Sequence, residues 1–171
     1  MITYFAACSL DLYLAGPKDE LDWLPQEGPE DELGYKSFYA NQDMVVMGRK
    51  TYDVCLGFGP ELWYYGDKET VVLTRQTGLK PRHNERFEAF DAETWRGRSA
   101  TKKIYLNGGG EMAKLFLQHG LIDRLVITTI PVLLGEGLPL FTPGFPKSNW
   151  NLQSCRTYPQ GFVVMVYNKA T

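Results

Sequence analysis

Met44 to Gly48 reads MVVMG, an unbroken apolar run that ends in glycine and is followed at once by the polar RKTY. The run is too short for a buried helix, and it lacks the in-out alternation of a strand with one wet face. It fits a strand covered on both faces, which is the environment of a parallel sheet with helices packed above and below. ITYFAAC near the N-terminus and ETVVLTR from Glu69 to Arg75 have the same character. Short runs of this kind, alternating with helical spacing, restrict the chain to a layered α/β fold.

The remaining segments extend this pattern. Helix signals start at Pro29, with Glu30, Asp31 and Glu32 opposing the unpaired amides of a first turn and Leu33, Tyr35 and Phe38 following. RKTYDVCLGFG predicts a helix of about two turns. FEAF predicts a small strand, with a weakly marked helix or loop through Ser99. KKIYLN is a strand, and EMAKLFLQHG a helix with Gly120 at its end. DRLVITTIPVLL predicts a long strand that Pro131 interrupts. NLQSCRTYP and GFVVMVYNK form a closing antiparallel hairpin joined around Pro159 to Gly161. The expectation is one domain over residues 1–171: three layers, a mixed and mostly parallel central sheet, helices on both faces and a C-terminal antiparallel hairpin.

Composition narrows the function classes. A net charge of -2 does not suit a nucleic-acid binder. No apolar run approaches the roughly 18 to 20 residues that span a bilayer. The N-terminus lacks a basic leader and Asp11 interrupts it, so the expectation is a folded first strand and a cytoplasmic protein. Cys8, Cys55 and Cys155 are odd in number and far apart, which fits neither a disulfide framework nor a metal cluster. With only His83 and His119, a multi-histidine metal site is excluded.

Three strands end beside residues suited to phosphate. Gly48 precedes Arg49, Lys50 and Thr51; Leu73 precedes Thr74 and Arg75; Leu106-Asn107 precedes Gly108, Gly109 and Gly110. Ligands of parallel sheets collect at the carboxyl ends of strands. Helix N-termini there present free amides and partial positive charge. Arginine adds a planar fork for phosphate oxygens. The glycine triplet is neither the Gly-x-Gly-x-x-Gly dinucleotide fingerprint nor a P-loop. Locally it says that backbone must come close to something, and in company with Arg49 and Arg75 it points to a phosphate-bearing ligand.

AACSLDLYLAG, VVMGRKTY, VVLTR, IYLNGGGEMAKLFL and IDRLVITTIPVLLGEGLPLF occur in that order. Together they resemble the dihydrofolate reductase-like superfamily over nearly the whole chain. The nearest branch is the reductase domain of bacterial bifunctional riboflavin biosynthesis enzymes. The resemblance implies NADPH as cofactor and no metal. It implies that Gly48, Arg49, Lys50 and Thr51 lie by the adenosine-side phosphates, and Thr74 and Arg75 by the ribose 2'-phosphate. Gly108, Gly109 and Gly110 then form the diphosphate turn, with Glu111 and Met112 opening the helix behind it, and the Gly108–Gly109 bond is expected to be cis. Ala6 and Ala7 line the nicotinamide pocket, and Ser9 to Gly16 is the loop that closes over it.

By the same resemblance the catalytic acid falls at Glu32, with Glu30 and Asp31 adjacent. Asp11 is a competing carboxylate whose bland role is to hold its own loop. Thr128 matches the threonine that buttresses the acid and the pterin. Trp23, Tyr35 and Phe38 surround the expected substrate helix. PVLLGEGLPLF favours the riboflavin-type branch, where this segment contributes to a pocket rim and a homodimer contact. The zinc deaminase motifs of the bifunctional enzymes do not occur in this sequence. The implied reaction is hydride transfer to a C=N acceptor in a small heterocyclic substrate, a pterin or a ribosylaminopyrimidine such as 5-amino-6-(5-phosphoribosylamino)uracil. A true dihydrofolate reductase, a nucleotide binder without turnover and an interaction protein that keeps only the fold are the alternatives.

Overall fold

A computed structural model describes residues 1–25, 33–59 and 63–170. The apolar runs become β1 (Ile2–Cys8), β3 (Met44–Gly48), β4 (Glu69–Leu73), β6 (Ile104–Leu106) and β7 (Arg124–Thr129). β2 (Tyr13–Ala15) and β8 (Leu138–Pro139) pair separately, and β5 is Glu85–Glu88. The C-terminal hairpin is β9 (Trp150–Thr157) and β10 (Val163–Lys169). The eight-stranded sheet runs β5-β4-β3-β6-β1-β7-β10-β9. Every pair from β5 to β7 is parallel; β10 lies antiparallel to β7 and β9 antiparallel to β10.

Among the described residues, two helices cover each face. On one side α3 (Ala92–Thr101) and α4 (Gly110–Gln118) bury Trp95, Ala113, Phe116 and Leu117 against Met44, Val46, Ile104 and Leu106. On the other, α1 (Tyr35–Ala40) and α2 (Arg49–Gly57) bury Tyr39 and Tyr52 against Val45, Met47, Val72 and Tyr105. Successive residues of β3 thus feed opposite cores, which is why MVVMG has no polar position. The expected three-layer fold is present. No described helix is long and apolar enough to cross a membrane.

Several boundaries differ from the sequence expectation. Residues 29–32, where helical signals begin, lie outside the described residues, and α1 starts only at Tyr35. Gly34, the N-cap of α1, takes φ 81°, ψ 10°, a left-handed conformation from which the helix begins one residue later. The strand around FEAF sits earlier, at Glu85–Glu88, and the residues through Ser99 are helical. Asp91 caps α3 by accepting the Thr94 amide at 2.8 Å. β7 ends at Thr129, ahead of Pro131, which has no N–H to continue a ladder.

Glu85 fixes the β4–β5 connection. Its buried carboxylate accepts the Tyr52 hydroxyl at 2.6 Å and the amides of Arg82 and His83 at 2.6 and 2.9 Å. Burial alone would raise its pKa; the hydroxyl and the amides overcome this and hold the carboxyl below its usual range. A depressed carboxylate stabilises the fold above its unfolded pKa, and the contribution disappears as pH falls through the folded value. Glu85→Gln should therefore cost about 1–2 kcal/mol at pH 7. In urea titrations the gap to wild type should close as pH drops below about 4. A gap that persists in acid would show that packing, not charge, is what the substitution removes.

Candidate functional site

The carboxyl ends of β3, β4 and β6 meet at one edge of the sheet. The Asn107 amide donates to the Val46 carbonyl at 2.8 Å, bringing the two glycine junctions side by side. Met112 lies between them. A Cβ built on Gly48 would stand 2.8 Å from Met112 Cγ, and one on Gly108 would stand 2.8 Å from Met112 Cβ. At Gly110 a Cβ would collide with the Pro139 carbonyl and approach Thr142 Oγ1 to 2.8 Å. Only at Gly109 does the added carbon meet nothing within 4 Å. Two glycines of the triplet thus make room for the protein's own atoms, and Gly109 alone fronts open space.

α4 starts at this turn with Gly109 as its N-cap, in extended conformation and with no side-chain cap. The amides of Met112 and Ala113 return to the Gly109 carbonyl. Those of Gly110 and Glu111 have no acceptor among the described residues, as at any helix N-terminus without a side-chain cap. The Gly108–Gly109 bond is trans, which corrects the expectation of a cis bond. Gly109 enters the helix at φ -71°, ψ 178°, ordinary torsions that make the turn without the roughly 3 kcal/mol of a non-proline cis bond.

Arg49 sits at the start of α2 and pairs with Asp53 at 2.8 Å. Its Nη1 donates to Gln76 Oε1 at 3.0 Å, and the Gln76 amide donates to Thr74 Oγ1 at 3.1 Å. These bonds join the ends of β3 and β4. Arg75, next in sequence, is exposed. Lys50 turns away to Asp19, 2.7 Å distant, and Thr51 is half-buried on α2. Gly48, Arg49, Thr74, Arg75 and Gly108 to Met112 therefore share one edge, while Lys50 is tied to the segment after β2.

Ala7 and Thr128 are opposite each other at the far ends of β1 and β7, with Thr128 buried. Asp11 binds the two loops beside them. It accepts the Ser9 hydroxyl at 2.6 Å, the Leu134 amide at 3.2 Å and the Gly135 amide at 2.7 Å. The Ser9 hydroxyl, with these amides, holds its carboxyl below the usual range against opposing desolvation. Asp11→Ala should speed hydrogen exchange at the Leu134 and Gly135 amides; unchanged exchange there would show that the loops hold without it. Glu32, like Glu30 and Asp31, lies outside the described residues.

The residue that the sequence reading passed over is Asn107. Its amide group donates to the Tyr65 hydroxyl at 2.6 Å, and its oxygen accepts the Tyr105 hydroxyl at 3.1 Å. Burial pushes both phenols far above their ordinary pKa, so both stay neutral, Tyr65 accepting from Asn107 and Tyr105 donating to it. Around them, Phe5 stacks on Phe38 with ring centroids 4.7 Å apart, and Tyr35 meets Phe5 edge-on at 5.3 Å. Phe38 and Tyr35 thus line the sheet face that carries Ala7 and Thr128. Trp23 Nε1 is buried without a partner among the described residues.

The chain is similar to known proteins over most of its length. Residues 96–164 match the model of the RibD C-terminal domain. The uncharacterized protein YwjB of Bacillus subtilis is 34% identical over 161 residues, which is 91% of each chain. A candidate riboflavin biosynthesis protein of Shewanella sp. PV-4 superposes with TM-score 0.88 at 28% identity, covering 99% of both chains. RibD of Acinetobacter baumannii superposes with TM-score 0.73 at 16% identity, covering 99% of this chain and 57% of that one, which extends the likeness in fold alone. With the parallel sheet, the two-sided helix layers and the glycine turn at the end of β6, these likenesses place the chain in the RibD C-terminal domain family of the dihydrofolate reductase-like superfamily.

Proposed function

We propose that the chain is an NADPH-dependent reductase that delivers a hydride to a C=N acceptor in a flat heterocycle, a pterin or a ribosylaminopyrimidine. The observation that carries this reading is Gly109, whose Cβ position is open in front of the unpaired amides of α4, on the same edge as Arg49, Thr74 and Arg75. A helix N-terminus and two guanidinium groups on one edge suit a diphosphate and a further phosphate. These residues fit NADPH: Gly108 to Met112 with Gly48 and Arg49 would hold the diphosphate side, Thr74 and Arg75 the 2'-phosphate, while Lys50 stays paired with Asp19.

When bound, NADPH supplies the hydride. The residues of this chain bind, position and protonate. Ala7 keeps the space beside β7 small-walled. Thr128 supports the acceptor end, and Tyr35 and Phe38 offer ring faces to a planar substrate. Glu32 gives the proton to the acceptor nitrogen. Asp11, held ionised by its hydroxyl and amide donors, secures the closing loop instead of supplying a proton. The exposed Cys155 thiol suits a reducing, cytoplasmic compartment. Leu10, Leu12 and Leu133, each more than half exposed and joined through the Leu10 amide to the Val132 carbonyl, suit a homodimer contact.

The test is NADPH oxidation by purified protein with dihydrofolate and with the ribosylaminopyrimidine offered separately. Turnover of one over the other names the substrate class. Oxidation with neither, in a protein that binds NADPH, would favour a binder without turnover.

A further inference from the structure

We infer that the chain carries a second site, a groove on the α1 face of the sheet that takes a flat organic anion. The groove has a volume of about 440 Å³, within the range of small-molecule sites. Phe5, Val126 and Val164 form an apolar floor, and Phe38 stands along one wall. Around this floor lie Lys103, Arg124 and Arg156. None of the three forms an ion pair among the described residues, and no aspartate or glutamate is among the described lining residues.

Two further atoms indicate a missing partner. Gln42 is 5% exposed and lines the groove; its Nε2 donates to the Phe38 carbonyl, but its Oε1 has no partner among the described residues. Arg124 Nε is likewise buried and unpaired. Buried polar atoms without partners are costly, and a ligand that supplies both an acceptor for Arg124 and a donor for Gln42 removes that cost. Three cations over low-dielectric walls focus a positive potential on the same space. The occupant that meets all of this has a planar apolar body, a carboxylate, sulfonate or phosphate, and a hydroxyl or amino hydrogen.

The groove is separate from the cofactor edge. Met1, Lys103 and Arg124 stand at the amino ends of β1, β6 and β7, whereas Gly48, Thr74 and Gly108 stand at carboxyl ends. Phe5 and Val126 lie two residues before Ala7 and Thr128 on the same sheet face, so the groove abuts the acceptor end. The anion is therefore either an arm of the acceptor itself or a separate small molecule.

The probe is 3-hydroxy-2-naphthoate, titrated into the full-length protein with saturating NADPH and followed by amide chemical shifts. The expected result is saturable binding that moves the amides of Gln42, Arg124 and Val164 and leaves Gly108 to Met112 unmoved. The neutral amide of the same acid should bind at least tenfold more weakly. Arg124→Gln and Arg156→Gln should each weaken the probe at least fivefold, and Lys147→Gln should leave it unchanged, with all three variants folded by circular dichroism. Inhibition competitive with the acceptor would identify the substrate's arm; binding without competition would identify a separate ligand, and either supports the site. Shifts confined to residues 106–112, equal affinity for the neutral amide, or unaltered affinity in both arginine variants would overturn it. So would failure to bind at concentrations where sedimentation finds a dimer, since a second copy would then occupy the groove. Because the readout is binding, it stands or falls apart from any turnover.

Discussion

Gly110→Ala should lower the thermal midpoint by about 4–12 °C, and Gly109→Ala should leave it unchanged or slightly raised. The two positions are adjacent and differ only in what a methyl group meets. At Gly110 it meets the Pro139 carbonyl and Thr142, backbone and side chain of a segment that is itself packed on the core. Neither can retreat without moving the chain around β8, so the cost is that of overpacking, about 2–3 kcal/mol, or roughly 2–4 °C per kcal/mol in a domain of this size. At Gly109 the torsions already suit alanine and the space is open. There the methyl restricts the unfolded chain, worth about 0.4–1 kcal/mol in favour of folding. The same methyl stands in front of the free amides of α4, where it should reduce NADPH affinity at least tenfold, about 1.4 kcal/mol. Calorimetry of both variants, alone and with NADPH, checks the pair. A destabilised Gly109→Ala with normal NADPH affinity would remove this turn from the cofactor site.

Arg75→Ala should weaken NADPH by about 10- to 100-fold while changing NADH less than threefold. A charge-assisted bond to phosphate contributes about 1.5–3 kcal/mol, and NADH lacks the phosphate in question. Arg75 is exposed and makes no ion pair or side-chain hydrogen bond among the described residues, so the variant should unfold at the wild-type temperature. The NADPH preference should also shrink with added salt, since exposed charges are screened. Arg49 is a poorer target, because it holds Asp53 and Gln76 and its loss would loosen the ends of β3 and β4 together. Equal loss of both nucleotides in Arg75→Ala would show that this residue does not face the 2'-phosphate.

The layered fold is legible in the sequence because a strand buried on both faces admits few polar positions: MVVMG and VVL have none, and ITYFAAC only Thr3. Helix α3 is harder to see: AETWRGRSAT has a glycine at its middle and one deeply buried side chain, Trp95, so its amphipathic signal is weak and Asp91 is its clearest marker. The site is legible in part. Its arginines and glycines announce themselves as strand-end residues. What the glycines accommodate does not, because Pro139 and Thr142 lie some thirty residues away from the triplet and Met112 reaches back across to Gly48. Asn107 was unreadable for the same reason, since its partner Tyr65 is 42 residues distant. The start of α1 at Tyr35 follows the torsion of Gly34, which residue types alone do not encode.

The edge formed by Gly48, Arg49, Thr74, Arg75 and Gly108 to Met112 is proposed to bind NADPH. Titration of the wild-type protein with NADPH in a calorimeter tests it most directly. The expected result is saturable one-to-one binding, tighter than NADH by at least tenfold, about 1.4 kcal/mol. No heat and no thermal shift at millimolar NADPH would contradict it.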